Sequence, residues 1–279
     1  MTRRAAAFAL TLSVVCVSCA PPLLKLPSGP GVAAPDTNDV VIAATAACRP
    51  LTSISLEMAV SGSLAGRRIR GRLLGGLKRP GDVRLEAVAP AGQPVFLLTN
   101  GMGFVQPGAN LLLPGDNRVL QRGQFDAVLE AVTGIPLDAS TLFVVLTGCS
   151  PGPPLGGSAP GGGTAIGEDW RLARAGNLGA YDLYVHRDKS GPWRLVAMST
   201  HGAAAGWRVE YGNFQSDLPR GLRLISVPSG RFDLQIALSQ VDLNPSLGPE
   251  VFQIQIPASA SPITLDELKT SGPLGSNGR

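Results

Sequence analysis

The sequence predicts a mainly β protein, with about twelve strands in a meander curled into a barrel or half-barrel. Three observations carry this. Gly and Pro together make up about a fifth of the 279 residues, a share that favours many turns and short strands over helices. From residue 53 onward, apolar and polar residues alternate with period two, the mark of strands with one buried and one wet face. That pattern lapses only between residues 123 and 149, where the spacing turns helical.

The first residues are a targeting segment. Arg3 and Arg4 precede an apolar run over residues 5–17, too short to span a bilayer and suited to a signal peptide. The run ends in CVSCAPP. A dithiol or zinc reading of Cys16 and Cys19 fails, because Cys48 and Cys149 have no neighbouring Cys and signal sequences are removed. Val17 and Ser18 before Cys19 instead form a bacterial lipobox, with Cys16 where Leu is usual. Residues 1–18 are then the signal peptide and Cys19 is the lipid anchor, held firmly only by more than one acyl chain. Losing Arg3 and Arg4 takes the formal charge from +4 to +2, no electrostatic footprint for nucleic acid.

Residues 19–37 form a lipidated start and a Pro/Gly/Ala-rich tether, reaching ~20–25 Å as flexible coil. A short helix follows, with Asn38 and Asp39 at its start and an end before Pro50. In SISLEMAVSG, Ile54, Leu56, Met58 and Val60 point one way. RRIRGRLLGGL turns Ile69, Leu73 and Leu77 inward, and VRLEA does so with Val83 and Leu85. Asn100-Gly101, between two apolar runs, predicts a hairpin turn. NLLLPGDNRVL adds one or two more strands.

Phe125, Val128, Leu129 and Val132 share a helical stripe that ends at Gly134, and LDASTLFVVLTGC reads as a second short apolar helix. Residues 150–163 are a Gly/Pro loop, long for a compact domain. Strands then resume: EDWRLAR, AYDLYVHR, PWRLVAMS, GWRVEYGNF, LRLISV, RFDLQIALSQV and EVFQIQIP. Trp207, Val209 and Tyr211 oppose Arg208 and Glu210, and Phe232, Leu234, Ile236 and Leu238 oppose Asp233 and Gln235. Residues 258–279 form a polar tail that ends in one helical turn around Leu265.

Catalytic signals are weak. His186 and His201 stand apart with no metal-ligand spacing. Around Ser158 the chain reads GGSAP, where Pro160 replaces the closing Gly of a nucleophile elbow. Gly161–Gly163 leads to Thr164 without the Lys of a phosphate-binding loop. The expectation is a non-enzyme with no cofactor, no metal and no nucleic acid. Arg67, Arg68, Arg70 and Arg72 read either as a solvated outer face or as contacts to anionic head groups. Cys48 and Cys149 could pair in an oxidising periplasm, closing a loop of ~100 residues, or remain two buried thiols. The apolar interior is either filled by side chains or kept as a cavity, with the helices as core or as lid.

From Arg84 to Cys149 the order RLEAVAPAGQPVFLL…AVTGIPLDASTLFVVLTGC, with WRVEYGNF downstream, resembles the LolA/LolB lipoprotein-localisation family. The matching pieces are a strand leading into Ala89–Gly92, the Thr133–Pro136 segment, a helix ending near Gly148 and the Trp207–Gly212 strand. The likeness covers residues 38–257 and is greater to LolB, the outer-membrane receptor that is itself a lipoprotein. It implies an incomplete antiparallel barrel of about 11–12 strands, lidded by a few short helices over a cavity for acyl chains. Candidate cavity residues are Leu56, Met58, Leu85, Phe96, Phe104, Trp170, Trp207 and Phe232. The implied setting is lipid-anchored at the outer membrane facing the periplasm, as a monomer, with lipoprotein acyl chains as ligand and a LolA-like periplasmic carrier as partner. The family receptor carries an exposed Leu in an S-P-L-G-like loop. Here Ala89, Pro90, Ala91 and Gly92 stand there, so Ala91 replaces that hook in the membrane-insertion loop. Two readings follow: an outer-membrane lipoprotein acting in lipoprotein reception or localisation, or a non-transferring structural or interaction lipoprotein of the same fold.

Overall fold

A computed structural model describes residues 22–89, 91–101, 108–152, 163–203 and 206–271. Cys19, Phe104 and Pro90 lie outside the described residues. The strands are β1 (Val32–Ala33), β2 (Ser53–Leu64), β3 (Arg67–Lys78), β4 (Asp82–Val88), β5 (Pro94–Gly101), β6 (Gly108–Leu113) and β7 (Arg118–Gly123). After the helices come β8 (Thr164–Ile166), β9 (Trp170–Ala175), β10 (Tyr181–His186), β11 (Arg194–Thr200), β12 (Gly206–Gly212), β13 (Gly221–Val227), β14 (Phe232–Leu243) and β15 (Ser261–Pro262). They make one open sheet in the order β1-β8-β9-β10-β11-β12-β13-β14-β2-β3-β4-β5-β6-β7-β15. The protein is therefore mainly β, an incomplete barrel. Two meanders meet where β14 pairs antiparallel with β2, from Phe232 opposite Leu64 to Leu243 opposite Ile54.

The alternation sets the phase of most strands. Val83, Leu85 and Ala87 are buried while Arg84 and Glu86 are only partly covered, and Trp207, Val209 and Tyr211 do the same on β12. The helices lie on the concave side. α1 (Thr37–Ala44) packs over β9, β10 and β11. α2 (Phe125–Thr133) buries Phe125, Val128, Leu129 and Val132, and ends at Gly134 in the left-handed conformation. α3 (Ala139–Thr147) is capped by Asp138, whose carboxylate accepts the Thr141 amide at 2.9 Å, and is buried from Thr141 to Thr147. Cys48, after α1, is disulfide-bonded to Cys149, just beyond α3, with their Cα atoms 5.6 Å apart. The bond ties the helical layer together from both halves of the chain.

Three expectations need correction. Asn100 and Gly101 are not a turn: they continue β5 opposite Ala109 and Gly108, and the connection falls at residues 102–107, outside the described residues. The Asn100 amide is buried and donates to the Gly81 carbonyl at 2.7 Å, a partner that draws it into the strand. The C-terminal tail, read as polar with a helical turn around Leu265, is docked on the sheet and carries that helix. β15 runs parallel to β7, and α4 (Leu265–Ser271) buries Leu268 against α2, because Ile263 and Leu268 supply apolar anchors within a polar stretch. The tether also adheres: β1 pairs with β8, and the Leu24 amide donates to the Glu210 carboxylate on β12. The fifteen strands include β1, β8 and β15, too short to carry readable alternation, whereas EVFQIQIP, read as a strand, forms a 3-10 turn at Pro249–Phe252 and no strand.

Candidate functional site

Beneath α2 and α3 the concave face does not close up. A cavity of about 310 Å³ remains, walled by Met58 and Val60 of β2, Leu73 of β3, Leu85 and Ala87 of β4, and Phe96 of β5. Leu224, Leu234 and Ile236 form its other side, and Leu129, Leu142, Val145 and Leu146 form the helical roof. The lining is almost wholly apolar and contains no carboxylate. Such a space is not collapsed by ordinary packing, since protein interiors leave few voids larger than a water molecule. It suits an apolar chain: a methylene takes slightly less than the ~30 Å³ share of a liquid water, so the volume holds on the order of ten carbons.

The opening follows from a stagger in the sheet. β3 pairs with β2 along all its length, from Arg67 opposite Leu64 to Lys78 opposite Ser53. It pairs with β4 only over Arg72–Lys78, because β4 ends at Val88. Residues 67–71 therefore run on past the end of β4. The gap beside them is bordered by Ile69, Arg70, Gly71, Arg72, Ala89, Val95 and Ile135. The Ala89–Gln93 turn is tight, with the Gly92 amide donating to the Ala89 carbonyl at 2.8 Å and the Ala89 amide to the Gln93 carbonyl at 2.9 Å. Ala91 is exposed there, while Ala89 borders the cavity.

Of the residues assigned to a cavity from the sequence, Met58, Leu85 and Phe96 line it. Leu56, Trp207 and Phe232 are buried in the surrounding core without reaching it. Trp170 belongs to neither group: its ring packs at a tilt against His186, 4.3 Å between centroids, on the convex side. The reason is phase. On β9 the buried positions are Ala173 and Ala175, small residues beneath α1, which turns Trp170 outward. Arg70 and Arg72, read from the sequence as a solvated face or as contacts to anionic head groups, were not expected at a cavity. They have outer-face parity, and only the early end of β4, invisible in the pattern of β3 itself, puts them at a cavity rim.

Burial would raise the Asp138 carboxyl, but hydrogen bonds from Ser140 and Thr141 outweigh it and hold the group below its ordinary range. The roof is thus fixed at one end by a charged cap and at the other by the disulfide. No cluster of three or more His, Cys, Asp or Glu among the described residues could hold a metal ion. No helix among the described residues is long and apolar enough to cross a membrane.

No family model matches the chain, and no curated protein sequence does. Among solved structures, the chain is similar to a LolA superfamily protein from Nitrosomonas europaea, at 14% identity over 78% of this chain and 97% of that one, with a TM-score of 0.46. It is also similar to a DUF1329 family protein from Desulfovibrio piger, at 12% identity over 80% and 98%, with a TM-score of 0.48. These are distant likenesses, and what the chain does has to be argued from its cavity.

Proposed function

We propose that the protein is an envelope lipoprotein, anchored through Cys19 at the outer membrane, that binds an acyl chain beneath α2 and α3 and acts in lipoprotein reception or localisation. One observation carries this reading: an apolar cavity of about 310 Å³, open at the staggered end of β3. An acyl chain in water carries a cost of ~0.8 kcal/mol per methylene, so roughly ten buried methylenes supply a driving force of about 8 kcal/mol before the costs of association. The resemblance of Arg84–Cys149 and Trp207–Gly212 to the LolA/LolB family supplies the lipoprotein context. A periplasmic carrier of that kind is the partner it suggests.

A second reading has its own support. The cavity holds one chain of moderate length rather than the three of a mature lipoprotein, and Ala91 offers far less apolar surface to a bilayer than the leucine of the family receptor. Both points favour a non-transferring lipoprotein that uses the same fold for interaction. Purifying the Cys19→Ala chain and identifying co-purified molecules by mass spectrometry tests both. A bound acylated polypeptide supports reception. A protein that comes away free of lipid and takes up no acyl chain sinks the acyl-binding reading.

A further inference from the structure

The cavity is greasy throughout, yet its rim is basic. Arg70 and Arg72 border the opening on β3, with Arg68 further out on the same strand. Their positions alternate with the inward Ile69, Gly71 and Leu73, so the guanidinium groups stand at the edge of the cavity rather than inside it. Arg72 keeps Glu57 at 3.7 Å with half of its side chain exposed. Arg70 has no carboxylate partner among the described residues, and the lining itself contributes none. An apolar chain seated in the cavity would leave through the gap beside residues 67–71, and whatever it is attached to would meet these two cations first.

We infer that the site selects single-chain amphiphiles with an anionic head: about ten carbons lie in the cavity while a phosphate or carboxylate is held by Arg70 and Arg72. The inference rests on the acyl-binding reading and adds the head-group chemistry to it. Guanidinium suits this role, because its planar fork donates two parallel hydrogen bonds to either oxyanion. A cationic head would face repulsion at the same rim. A neutral head would gain nothing there beyond the chain.

The test uses the Cys19→Ala chain with ¹³C-methyl methionine, where the Met58 methyl reports occupancy of the cavity directly. Decanoate, decyl phosphate, decyl maltoside and decyltrimethylammonium are titrated in turn. The anionic pair should bind at least ~10-fold tighter than the neutral ligand, with the cationic one weakest. The relative affinity of decanoate and decyl phosphate distinguishes a fatty acid from a lysophospholipid-type phosphate. Arg70→Gln with Arg72→Gln should remove the preference and leave decyl maltoside binding unchanged, while Arg70→Lys with Arg72→Lys should restore most of it. Equal affinity for all four heads with a clear Met58 shift would overturn the head-group inference and leave the container intact. If no ligand moves the Met58 signal, the container reading falls as well.

Discussion

Filling the cavity from Gly71 separates binding from folding. Gly71 has the inward phase of Ile69 and Leu73, lies opposite Val60, and a Cβ there would meet no atom within 4 Å. Gly71→Phe would place seven carbons in the cavity, about two-thirds of the roughly ten that fit. Excluding five or six ligand methylenes at ~0.8 kcal/mol each removes about 4–5 kcal/mol of transfer free energy as an upper limit. A chain that backs partway out of the opening recovers none of it, so affinity for a ten-carbon amphiphile should fall by up to ~1000-fold or a few times more. Stability should move the other way. An interior strand glycine costs ~0.5–1 kcal/mol, and a newly buried ring adds to the gain. Isothermal titration with decanoate and thermal denaturation of the Cys19→Ala chain measure both quantities. Undiminished affinity in a folded Gly71→Phe protein would show that the chain binds elsewhere. A fall in stability of more than ~2 kcal/mol would show that side chains already fill the space.

Other outcomes follow from the same geometry. Replacing Cys48 and Cys149 by Ala opens a loop of 101 residues, so the unfolding free energy should fall by ~2–5 kcal/mol in denaturant titrations, with the reduced parent behaving alike. Asp138→Ala should cost about 1 kcal/mol by removing the cap of α3. Because the folded carboxyl titrates below its ordinary value of 3.8, its contribution is present above that value and is lost as pH falls through the folded pKa. Asp138→Asn should therefore be less stable than the parent at pH 7, with the difference shrinking as pH falls from 4 to 2. Asn100→Ala leaves the Gly81 carbonyl without its donor and should destabilise by about 1–3 kcal/mol in the same assay.

Much of this architecture was legible residue by residue. Strict alternation fixed the faces of β2, β4, β12 and β14, because a one-residue slip would turn every apolar side chain to solvent. Gly134 and Gly148 marked the ends of α2 and α3, and both adopt the left-handed conformation that favours glycine. What stayed hidden depends on partners distant in sequence. Trp170 is placed inward by period alone, but the close approach of α1 reserves the inner positions of β9 for Ala173 and Ala175. Asn100-Gly101 carried a local turn signal that the Gly81 carbonyl overrides. The cavity half of the prediction, Met58, Leu85 and Phe96, needed only strand phase. The rim needed the stagger between β3 and β4, which no single segment encodes.

The open sheet also has a consequence for how the molecule lives among its copies. A barrel that fails to close keeps two borders, and a wide sheet with long borders is a template on which another chain can add strands. Here the borders are β1 and β15, each two residues long. The first comes from the N-terminal segment and the second from the C-terminal one. A neighbouring copy meeting either border would find too few backbone partners to stay. The chain's two end strands thus shorten the open borders where they pair, over Arg118–Val119 of β7 and Thr164–Ala165 of β8, while the sheet stays unclosed.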